Sequence, residues 1–110
     1  MFRKEKLESV LQEELGKLIA RRVDADAFIT ITGVSVTKKL DEATVRVAIL
    51  PEQGERKALS ALRAQAGRMR TELLKMMRIR ALPFIRFEVD EGAKNAASVE
   101  KALLKDDNNG

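Results

Sequence analysis

Residues 55–89 read ERKALSALRAQAGRMRTELLKMMRIRALPFIRFEV, and this stretch decides the fold. Ala58, Leu62, Ala66, Met69, Leu73 and Met76 recur every three or four residues, the spacing of one helical face. The stripe crosses Gly67 without losing register. The spacing therefore predicts either a kinked, nearly continuous helix or two helices joined by a tight turn at Gly67. Leu82-Pro83 stops the pattern, because Pro83 has no amide hydrogen and pushes the residue before it out of the α region. From Phe84 to Val89 the period changes to two, with Ile85, Phe87 and Val89 inward and Arg86 and Glu88 outward, as in a strand.

The same stretch gathers charge. Nine of the chain's 21 Lys and Arg lie between Arg56 and Arg86, with one of its 17 acids, Glu72. The remainder holds 12 basic and 16 acidic residues, so it is net acidic in a chain of net charge +4. Positive charge segregated in this way suits a polyanion. Arg68, Lys75 and Arg78 share one broad helical sector, and Arg63 and Arg70, also seven apart, share another. A solvated helix face is the plain alternative. Such faces usually mix Glu with Lys, however, whereas this one is rich in Arg, whose planar fork suits phosphate. Gly67 also has a plain alternative, a tolerated helical glycine costing about 1 kcal/mol. If it opens the helix, freed N–H groups beside Arg68 and Arg70 would form a phosphate site. Arg80 extends the basic set; for Lys38 and Lys39, on a loop tip, an extension of that surface and plain solvent exposure both stay open.

Upstream of this unit, Leu7, Val10, Leu11, Leu15, Leu18 and Ile19 predict a first helix, with acids toward its start and Lys17, Arg21 and Arg22 toward its end. Ile29 and Ile31 alternate with threonines, and then the apolar phase slips by one residue to Val34 and Val36. A strand keeps one buried face across such a slip only by bulging, which places a β-bulge at Gly33. A second strand runs through Ala43, Val45, Val47 and Ile49 to Pro51, close enough to pair with the first as a hairpin. The order is α-β-β-α-α-β, an α+β class. The crossover makes strands two and three parallel, and the helices cover one sheet face. A short terminal helix follows over Ala96, Val99, Ala102 and Leu103, then a disordered tail from Asp106.

At 110 residues the chain is one domain, and with no Trp, no Tyr and four Phe its core is aliphatic. Met69, Met76 and Met77 are assigned to that core and Phe87 to the buried face of the last strand, while for Phe84 both stacking on a base and packing at the sheet end stay open, its place just after Pro83 favouring the packing. So few aromatics argue against a single-strand reader that relies on stacking. With no Cys and no His, disulfides, thiolate metal sites and the usual nucleophile–base pairs are excluded. Asp41-Glu42 and Asp90-Glu91 are adjacent residues that do not converge. No catalytic residue, metal, cofactor or small-molecule substrate is expected. No stretch reaches the ~20 apolar residues of a membrane span, and the charged start is unlike a leader, so the expectation is a soluble cytoplasmic monomer. From the residues alone three binding functions stay open: RNA binding, a DNA-binding helix-turn-helix with Gly67 in the turn, and a basic helix that meets an acidic protein.

Several pieces together resemble a known family: Ile29-Thr30-Ile31-Thr32-Gly33-Val34, Ala43-Thr44-Val45-Arg46-Val47, Gly67-Arg68-Met69-Arg70 and Leu73-Leu74. The most specific is Met77-Arg78-Ile79-Arg80-Ala81-Leu82-Pro83-Phe84-Ile85-Arg86-Phe87, closing on Asp90. The order and these residues are similar to ribosome-binding factor A, a bacterial small-subunit assembly family, over roughly residues 3 to 92. The resemblance implies a single KH-like (type II) domain over 1–92, with a helix–kink–helix at the family's Ala-x-Gly position, here Gln65-Ala66-Gly67. Residues 93–110 would be an appendage. It implies a non-catalytic partner of the immature small ribosomal subunit and its rRNA, supporting late maturation, 5′-end processing and growth in the cold. The RNA-contacting set it implies is Arg63, Gln65, Ala66, Gly67, Arg68, Arg70, Lys75, Arg78 and Arg80, with Lys38 and Lys39.

Overall fold

The computed structural model describes residues 3–23 and 26–92, arranged as two helices against a three-stranded sheet. Helix α1 spans Lys4–Arg22, strand β1 Phe28–Val36 and strand β2 Glu42–Leu50. A single 3-10 turn at Glu52–Gly54 leads into helix α2, Glu55–Met77, and strand β3 is Phe84–Val89. The sheet order is β1-β2-β3, with β1 and β2 antiparallel and β2 and β3 parallel. This mixed sheet bears out the α+β, KH-like expectation. The terminal helix and tail expected over 93–110 lie outside the described residues.

The bulge falls where the apolar phase slips. Ile31 faces Val47 and Gly33 faces Arg46, which leaves Thr32 as the extra residue. Ile29 and Ile31 therefore share the helix side with Val34 and Val36 on the far side of the slip. Glycine at 33 also leaves room above the strand. A Cβ there would stand 2.7 Å from Arg46 Nη2, and Arg46 Nη1 donates to Ser35 Oγ at 2.9 Å.

One face of the sheet is covered. α1 packs on β1 through Leu7, Leu11, Leu15, Leu18 and Ile19, and the Val36 N–H donates to Glu8 Oε2 at 2.8 Å. α2 packs on β3 through Ala58, Leu62, Met69 and Leu73. Between them lie Val45, Val47 and Phe87, and no polar side chain is buried among the described residues. The core is aliphatic with one phenylalanine.

Three local expectations are refined. The segments on either side of Gly67 form one uninterrupted helix, so its amides stay in the i→i−4 ladder and are not freed for a ligand. That continuity also removes the turn a helix-turn-helix would need. The buried stripe steps from Leu73 to half-buried Met77, leaving Met76 48% exposed, because the helix ends one residue after it. Phe84 does not pack into the sheet end but stands 68% exposed.

Candidate nucleic-acid interface

The basic face of α2 contains an open groove of about 520 Å³, whose lining includes Gln65, Gly67, Arg68, Glu72 and Lys75, with Arg22 contributed by the end of α1. Gly67 is its flat spot, since a Cβ there would meet nothing within 4 Å. The Thr71 hydroxyl donates back to the Gly67 carbonyl at 3.0 Å, sharing that acceptor with the helix ladder. Arg68 and Lys75 are exposed and make no ion pair or hydrogen bond among the described residues.

Glu72, the single acid of the basic segment, is neutralised from another element. Arg22 Nε and Nη2 donate to its two carboxylate oxygens at 3.2 and 2.8 Å. This fork holds the Glu72 carboxyl below the ordinary carboxylate range, first through the hydrogen bond and also through charge, and Arg22 is raised in turn. The groove thus keeps the positive charge of Arg68 and Lys75 without an open carboxylate between them. Sequence spacing did not find Arg22, because its partner is 50 residues away.

The other expected cations divide. Arg63 and Arg70 turn toward β3: Arg63 Nη2 donates to the Phe87 carbonyl at 3.4 Å. Arg70 Nε donates to the Leu82 and Pro83 carbonyls, both at 3.1 Å, and its Nη2 to Leu82 at 2.7 Å. Arg70 also lies 4.6 Å from the centroid of the Phe84 ring. Ala66 is half-buried and packs against the core.

Arg78 closes α2 in the left-handed conformation, φ 54° and ψ 43°, where glycine is usual. Its N–H reaches Lys75 O at 3.3 Å and the Ile79 N–H reaches Leu74 O at 3.2 Å, the pair of bonds that ends a helix in a Schellman turn. A left-handed residue other than glycine costs about 1–2 kcal/mol. The turn nonetheless leaves Arg78 and Arg80 exposed.

Lys38 and Lys39 occupy the tip between β1 and β2, also exposed. Thr37 fixes that tip: its carbonyl accepts from the Leu40 N–H at 2.9 Å, and its hydroxyl accepts from the Asp41 and Glu42 amides at 3.2 Å each and donates to the Asp41 carboxylate. The Asp41 carbonyl in turn receives the Phe84 N–H at 3.0 Å, so the lysine tip abuts the start of β3. The structure thus forms two basic sites, the α2 groove and the neighbourhood of Phe84.

Comparisons with known proteins agree with this architecture. The family model of ribosome-binding factor A matches residues 3–103. Ribosome-binding factor A of Gemmatimonas aurantiaca is 32% identical over 107 residues, covering 94% of this chain and 73% of that one. The crystal structure of ribosome-binding factor A from Thermus thermophilus gives a TM-score of 0.67 at 27% identity, covering 80% of this chain and 97% of that one. A homology model of the Thermus factor, fitted into a cryo-EM map of a 30S complex of the factor, gives a TM-score of 0.66 at 30% identity and covers 76% and 90%. From the bulged hairpin to the arginine-rich passage into β3, the match spans every element of the fold, and the chain belongs to the ribosome-binding factor A family.

Proposed function

We propose that this protein binds the immature small ribosomal subunit through its rRNA and supports late maturation, including processing of the RNA's 5′ end. The carrying observation is the α2 groove, where Arg68 and Lys75, without an ion pair among the described residues, line the same groove as a glycine without a side chain, and where Glu72 is held by Arg22. Phosphates can approach the helix closely there, and such contacts position a protein on structured RNA without reading its sequence. The family relative fitted into a 30S complex supports the same partner.

The mechanism is binding without bond chemistry, in keeping with a chain that has neither His nor Cys. Arg68, Lys75 and Gly67 make the principal contacts, beside Gln65. Arg78, Arg80, Lys38 and Lys39 form the second basic site, while Arg63 and Arg70 act mainly by holding β3. Occupying an unfinished site favours the RNA conformation that fits the groove, and a matured subunit that fits less well lets the protein go. It works as a monomer in the cytoplasm.

The test is gradient co-sedimentation with isolated small subunits, large subunits and whole ribosomes at two salt concentrations. The expected result is selective migration with small subunits, weaker at the higher salt. The Arg68→Glu/Lys75→Glu variant should lose it while its melting temperature is nearly unchanged, since both residues are exposed. Equal migration with all particles, or intact binding by the variant, refutes the reading.

A further inference from the structure

We propose that Phe84 is a stacking platform for one unpaired nucleobase, which adds a base-contacting site to the phosphate-binding groove. The inference rests on the RNA-binding reading above and goes beyond it. Phe84 is 68% exposed, while Phe87, three residues on, is 1% exposed. Its backbone is fixed by pairing with Glu42 and by its N–H bond to the Asp41 carbonyl. Its ring is braced on one side by the Arg70 guanidinium, 4.6 Å from the centroid, which three bonds to the Leu82 and Pro83 carbonyls hold in place. The ring is therefore already ordered before any ligand arrives, and a partner need not bear that ordering cost.

The surroundings select the partner. Arg78 and Arg80 lie on the connection just before Phe84, and Lys38 and Lys39 on the abutting tip. The adjacent acids are occupied, Glu42 by Arg86 at 3.5 Å and Asp41 by the Thr37 hydroxyl. An exposed aromatic ring with cations on the segments next to it suits a ligand that offers both a flat π surface and negative charge, which is a nucleotide. The other exposed apolar pair, Phe28 and Leu50, sits at the opposite end of the β1–β2 ladder from Glu42, away from these cations. A base inside a duplex is already stacked on its neighbours, so the platform takes a bulged or single-stranded base, with little preference among the four.

The chain has no Trp or Tyr, so Phe84→Trp creates its only indole and a clean fluorescence reporter. That variant is titrated with an RNA hairpin bearing one unpaired purine and with a blunt duplex of equal length. The expected result is quenching by the bulged RNA and not by the duplex. Phe84→Leu should bind the bulged RNA about ten-fold more weakly, with an unchanged slope of affinity against salt because the phosphate contacts remain. Wild-type affinity in Phe84→Leu, or a Trp signal that does not distinguish the two RNAs, overturns the platform. Arg68→Glu/Lys75→Glu separates the two claims. If it loses small-subunit binding while Phe84→Leu keeps bulged-RNA affinity, stacking fails and the RNA-binding reading stands. Wild-type protein that does not migrate with small subunits removes both.

Discussion

At position 67 the helix carries the residue least suited to it, apart from proline, in a place where a methyl group would meet nothing within 4 Å. Gly67→Ala should therefore raise stability by about 0.5–1 kcal/mol, seen as a higher urea midpoint. The same methyl rises from the floor of the groove, so affinity for small subunits should fall. A stabilised protein that binds as before would show that the bare helix surface has no part in binding. Gly67 stood out in the sequence because it is a glycine set within an otherwise helical pattern. The left-handed conformation of Arg78 did not, since no glycine or asparagine in Met77-Arg78-Ile79 announces such a helix end. Arg63 and Arg70 were legible as a basic pair, but helical spacing assigns a sector and does not say which strand carbonyls lie beneath it. The exposure of Phe84 was hidden for a related reason. Its place after Pro83 suggested packing, but the alternation of β3 sets it with Arg86 and Glu88 on the exposed side, where it meets Arg70 from another element.

Among the elements, the hairpin and its bulge were readable from period-two alternation and one phase slip, and the parallel third strand from the helical crossover that returns the chain to the sheet. The continuity of α2 was not, because the penalty for one glycine is small beside the burial of Leu62, Met69 and Leu73 on either side of it. The tie between α1 and α2 through Arg22 and Glu72 joins residues too distant for any local pattern. It has a testable sign. The folded state depresses the Glu72 carboxyl, so its contribution is fully present above the ordinary carboxylate pKa of 4.5 and is lost as pH falls through the lower folded value. In low salt, wild type should exceed Glu72→Gln in urea midpoint at neutral pH, and the gap should close on acidification. Because the pair is on the surface, added salt should narrow the gap as well. A gap that is independent of pH would assign the difference to packing alone.

Taken as a whole, the described residues present a sheet with one face covered by helices and two borders, β1 and β3. Exposed borders invite strands from other molecules, because their backbone groups are unpaired on the outer side. β1 is broken by the extra residue Thr32, which twists the ladder. On β3 the Phe87 carbonyl is taken by Arg63, and the Leu82 and Pro83 carbonyls just ahead of the strand are taken by Arg70. Arg63→Ala/Arg70→Ala should therefore scatter light on gentle warming at concentrations where wild type stays clear, with dye binding that reports cross-β stacking. Clear solutions of the double variant would mean that the arginines do not guard this border. Among the described residues, then, part of the sheet's outer border is covered by arginine side chains, and the double variant tests whether that cover keeps one copy of the sheet from pairing with another.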